Sequence, residues 1–214
     1  VLFRTRFQSE LEEDGYETAI GSLRREMESA PFPIKPMLQS MLGELYKAYL
    51  EQHSWEIEER TLVAGDSGED IRTWTAARFQ EESARLFLAS VADPQLAEVP
   101  IQDFGVILLP AKHTQGLWNS LYDLLVDRAL DYFTDSRSFV SSPANRFYLQ
   151  QQEAFADASV FSGFSFPTRD TASWEYQALR LYQHWLTRKV QENNIPARID
   201  ADIRRLVFAH EHAV

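Results

Sequence analysis

The tetrapeptide Gly65-Asp66-Ser67-Gly68 carries the letters that surround the nucleophile of some serine proteases. That chemistry needs an imidazole base, an orienting carboxylate and an oxyanion hole held on a rigid scaffold. Here Glu69 replaces the next glycine and the flanking periodicity is helical, so the segment reads as a polar turn with Asp66 or Asp70 capping a helix. Asp66, Glu69 and Asp70 lack the alternating oxygen ligands and terminal Glu of a calcium loop. In His210-Glu211-His212 the imidazoles stand two residues apart, which on a helix turns them about 200° from each other, whereas zinc wants them on one face. His210 continues the apolar stripe of Ile203 and Val207 and is therefore expected as a packed core histidine. Asp200 and Asp202 flank Ile199 and Ile203 and are expected in a first helical turn, where the dipole favours negative charge. No catalytic residue, cofactor site or metal-ligand set emerges from these clusters.

Of the five Trp residues, Trp74 and Trp118 stand beside polar loops near expected helix starts and are the candidates for an exposed interaction surface. The other three are expected in the core. Arg outnumbers Lys 17 to 4, which favours forked pairing with carboxylates, for example Arg128 with Asp127 or Asp131.

The elements that must position these residues are helical. The chain has 214 residues, 44% hydrophobic and 25% charged, enough to bury a core. Its net charge of −11 repels phosphate backbones and anionic lipid, which argues against nucleic acid as a partner. No apolar run approaches the about 18 to 20 residues of a membrane span. Cysteine is absent, which removes disulfides, thiolate metal sites and a thiol nucleophile. Val1-Leu2-Phe3-Arg4 opens without an initiator Met or a signal-peptide layout, as a piece of a longer chain would.

A first apolar stripe joins Leu2, Phe3, Phe7 and Leu11, and a second helix is expected over 16–28. Pro31, Pro33 and Pro36 break the pattern at a corner. Leu38, Met41, Leu42, Leu45 and Tyr49 predict a helix running from 37 to about 60; Phe79, Ser83, Leu86, Phe87 and Val91 trace the next. Asp93-Pro94 and Val99-Pro100 open short pieces, the second ending near 109. The stripe Leu117, Leu121, Leu124, Leu125, Ala129, Tyr132 and Phe133 marks the centre of the core, while 136–143 reads as irregular or briefly extended. Further helices are expected over 149–161, from Asp170 through Trp174, Trp185 and Val190, and along Ile199, Ile203, Leu206, Val207 and His210. The sum is an all-α domain, an antiparallel array or bundle of about six to nine helices with a solenoid-like stack as a variant. It reads as one domain over 1–214, with an N-terminal helical segment at 1–30 and a main body at 37–214.

Four segments carry a resemblance. They are Asp70-Ile71-Arg72-Thr73-Trp74-Thr75, the run from Leu121-Tyr122-Asp123-Leu124-Leu125 through Asp131-Tyr132-Phe133, Tyr176-Gln177-Ala178-Leu179-Arg180-Leu181-Tyr182-Gln183, and Ile199-Asp200-Ala201-Asp202-Ile203-Arg204-Arg205-Leu206. In order and spacing, residues 40–214 resemble the N-terminal helical region of the large bacterial alpha-2-macroglobulin-like proteins. The resemblance implies an exported envelope protein, often a lipoprotein, in the periplasm or at the outer membrane, acting as an endopeptidase inhibitor that traps proteases. The bait region and the Cys-Glu-Gln thioester of that family lie in macroglobulin domains beyond this region, so no functional residue is carried over. This chain would be a non-catalytic accessory domain whose partners are other domains of its parent chain or proteases. Two other readings stay open: a free-standing peptide- or glycan-binding module with an exposed aromatic groove, and a small α-helical enzyme with convergent ionisable groups in a pocket.

Overall fold

A computed structural model of the chain describes residues 15–61, 68, 70–105, 107–108, 116–135 and 146–214. Among them it is all-α, with eight α-helices, four 3₁₀ turns, no strand and two isolated bridges. The stripe at 2–11, the loop residues Gly65, Asp66, Ser67 and Glu69, and the segment 136–143 lie outside the described residues. Described residues up to Asp93 form one compact unit and those from Pro94 onward a second. This boundary falls inside the body expected over 37–214, at a proline that holds its predecessor out of the helical region.

The first unit comprises α1 (Gly15–Ser29), α2 (Ile34–Gln52), α3 (Ser54–Thr61), a 3₁₀ turn at Ile71–Thr73 and α4 (Ala76–Ser90). The prolines do make a corner, but Pro36 belongs to the first turn of α2, where a missing N–H costs no helical bond. The helix expected to run to about 60 divides at His53, whose ring stacks on Tyr49 with centroids 4.5 Å apart. Asp70 caps the 3₁₀ turn by accepting from the Arg72 N–H, and Thr75 caps α4 by accepting from the Arg78 N–H. The interior is aromatic: Tyr46, Tyr49, Trp74 and Phe79 are buried, and the Phe79 ring lies 5.2 to 6.1 Å from the other three. α2 and α4 approach through a glycine. A Cβ at Gly43 would stand 3.1 Å from the buried Phe87 ring and 3.4 Å from the Ser83 carbonyl oxygen.

The second unit begins with 3₁₀ turns at Pro94–Glu98 and Ile101–Phe104, followed by α5 (Leu121–Phe133). A further 3₁₀ turn at Gln152–Phe155 precedes α6 (Ala158–Gly163), α7 (Trp174–Gln191) and α8 (Ile195–His212). α7 packs against α5, α6 and α8. Ser173 and Asn194 cap α7 and α8, and Asn193 closes α7 with a left-handed φ of 53°. The single helix expected over 149–161 is instead a bridge at Leu149, the 3₁₀ turn and α6. Its interruption is stabilised from outside, because the buried Arg205 donates to the carbonyls of Ala154 and Ala156.

Two helical glycines of the first unit, Gly21 and Gly43, give opposite expectations. Gly21 on α1 has open space where a Cβ would go, so Gly21→Ala should raise stability by up to about 1 kcal/mol through helix propensity. Gly43→Leu should lower it by about 1–3 kcal/mol or more by overpacking against Phe87. Urea denaturation of both variants checks the pair, and equal midpoints would contradict the close approach of α2 and α4.

Candidate functional site

Among its described residues the second unit holds three charges that water does not reach, Asp123, Lys189 and Arg205, and all three serve the fold. Asp123 on α5 is fully buried. Its Oδ2 accepts from the Asn119 and Ser120 backbone N–H groups at 2.9 and 3.1 Å and from the Ser120 hydroxyl at 3.2 Å. Its Oδ1 accepts from the Trp185 indole N–H at 2.9 Å and pairs with the equally buried Lys189 ammonium at 2.6 Å. Lys189 also bonds Glu192 at 2.7 Å, at the end of α7. One carboxylate thus closes the start of α5 and fastens it to α7. The periodicity along Trp174 and Trp185 placed Val190 inward; the structure has Val190 exposed and Lys189 inward, because Asp123 supplies the countercharge.

Arg205 is the third buried charge, gripped by Asp202 and the carbonyls of Ala154 and Ala156. Asp127 and Asp131 on α5 receive Arg204 from α8. The Arg204 guanidinium also lies 5.5 Å from the Trp185 ring centroid.

The tryptophans divide differently from the expectation. Trp74 is 3% exposed: its indole N–H donates to the Gly68 carbonyl, its ring packs on Tyr46 and Phe79, and Arg24 and Arg78 lie 5.0 and 4.5 Å from its centroid. It belongs to the core and is withdrawn as a surface candidate. Trp118 is half-buried, just before the α5 cap. Trp55 on α3, expected inside, is 73% exposed.

The largest correction concerns α8. Asn194 caps it and Pro196 sits in its first turn, so Asp200 and Asp202 fall beyond that turn. Most of the stripe expected to face the core faces solvent: Ile199, Ile203 and Val207 are 51, 55 and 50% exposed and His210 is exposed with them, while Leu206 is half-buried; Ile195, 53% exposed, extends the outward row. The inward face is Ala197, Ala201, Arg205, Phe208 and Ala209. Small residues admit the helix close to its neighbour, while four β-branched aliphatics at every fourth position form a ridge on the outside. Among the described residues no group of three or more His, Asp or Glu side chains could hold a metal ion, and no helix is long and apolar enough to cross a membrane.

Neither a protein-family model, nor a curated protein, nor a solved structure matches this chain.

Burial raises the pKa of Tyr122 on α5 and of Tyr182 on α7 to about 12, against the partial counteraction of Arg188 and Arg204 respectively. An unfolded tyrosine ionises near 10, so the stability these phenols contribute is complete below about pH 10 and is lost as pH rises toward 12. Guanidinium titrations across that interval should show a decline that Tyr122→Phe makes shallower. An unchanged slope in the variant would contradict a buried phenol at this position.

Proposed function

We propose that this chain is a non-catalytic helical docking domain, an accessory part of an alpha-2-macroglobulin-like envelope protein that traps proteases. The observation that carries the docking reading is the inverted α8: alanines inward and a continuous aliphatic ridge outward. Burying an isoleucine or valine is worth about 1.5–3 kcal/mol, so three isoleucines and a valine in one row left half in water mark a surface that gains by being covered. The buried charges of the second unit support the same reading, since Asp123, Lys189 and Arg205 are each engaged by neighbouring helices or turns. The link to the macroglobulin-like proteins is supported by the sequence resemblance, whose four segments lie in or beside helical elements of the structure.

The reading frame downstream of Val214 supplies the test. It should encode successive β-sandwich domains, and those domains, purified separately, should associate with this chain in calorimetric titration. A frame without such domains would remove the macroglobulin assignment. Domains that are present but do not associate would remove the docking role within that protein.

A further inference from the structure

Resting on the docking reading, the charge around the ridge specifies what covers it. We propose that the α8 ridge receives an amphipathic helix of a partner chain whose apolar seam is flanked by Lys or Arg.

The shape comes first. Ile195, Ile199, Ile203 and Val207 recur at every fourth position, making a ridge inclined by roughly 26° to the helix axis. From Ile195 to Val207 it extends about 18 Å at 1.5 Å per residue, and a partner helix of about 12 to 14 residues would match it. Such a ridge fits the groove between side-chain rows of another helix, which is how amphipathic helices are recognised by their i, i+4 anchors.

Charge then selects the partner. Taking the midline between Ile199 and Ile203, Asp200 lies about 80° to one side and Asp202 about 80° to the other. Glu211 continues the Asp200 side, and His210 ends the ridge. Arg205 shares Asp202, so Asp200 and Glu211 carry most of the field. The basic residues on this helix stand farther from the midline: Arg204 is held by Asp127 and Asp131, and Arg198 lies at the margin. A second copy is disfavoured, because either orientation of two identical ridges sets Asp200 against Asp200 or Asp202 of its mate. The chain charge of −11 adds long-range repulsion between copies and from anionic lipid. A seam bordered by Lys or Arg meets its unshared acid on the side of Asp200 and Glu211.

Two fluorescent helical peptides with the same leucine seam, one flanked by lysines and one by glutamates, test this by anisotropy with the full chain. The lysine peptide should bind at least about tenfold more tightly, weaken as salt is raised, and lose about tenfold in affinity with Ile199→Glu/Ile203→Glu. Asp200→Lys should reduce the preference for lysine. Because these sites are exposed, circular dichroism and thermal midpoint should stay at their original values; Ile199→Ser/Ile203→Ser provides a second, uncharged pair should the glutamates disturb folding.

Equal binding of both peptides, binding indifferent to the ridge variants, or no binding would overturn the proposal. So would self-association in sedimentation that Ile203→Glu abolishes, which would assign the ridge to a second copy, or ridge-dependent co-sedimentation with phosphatidylcholine vesicles. If the downstream domains associate with the chain but the ridge variants bind the lysine peptide as the original chain does, the partner proposal falls while the docking reading stands.

Discussion

A carboxylate moved out of water loses several kcal/mol of solvation, and the fold must return that through donors already in place. At Asp123 five donors converge: two backbone N–H groups, a serine hydroxyl, an indole N–H and an ammonium. They come from the chain entering α5 and from two successive turns of α7, so the carboxylate can be satisfied only when those pieces are in register. Shape alone would let apolar helices slide by a turn. A buried ion with fixed partners makes the wrong registers costly, which is how one Asp–Lys pair constrains the seating of the Trp185 indole beside it.

Arg205 repeats the logic on α8. Its guanidinium is inward because the carbonyls of Ala154 and Ala156 need donors where the backbone leaves the 3₁₀ turn. With Arg205 and Phe208 occupying the interior, the remaining inward positions hold alanine. The aliphatic mass of the helix is then on the other side. Interior ion and exterior ridge are two consequences of one orientation, and the ridge is the feature of the second unit with most to gain from a partner.

Much of the helical layout was legible in the sequence, because a 3.6-residue period and the stops at Pro31, Asp93-Pro94 and Asn193-Asn194 are local signals. Orientation was not. A period tells which residues share a face, and α8 has two such faces, one of isoleucines and one of alanines with Phe208; choosing the more apolar one put the helix in backwards. Its deciding residue, Arg205, reads as a surface charge until the carbonyls of 154 and 156 are seen beside it. Lys189 was hidden for the same reason, its countercharge lying far away along the chain. Trp74 looked exposed because it neighbours a polar loop, yet that loop supplies the Gly68 carbonyl that lets the indole N–H be buried. Distance in sequence separates each of these groups, except Trp74, from the partner that explains it.

A double-mutant cycle on Asp123 and Lys189 bears most directly on this view of the second unit. Asp123→Asn and Lys189→Met should each cost about 3–5 kcal/mol in urea denaturation, since each strands a buried partner, and the double variant should cost clearly less than their sum. Additive losses, or single losses below about 1 kcal/mol, would contradict a fold registered by this pair.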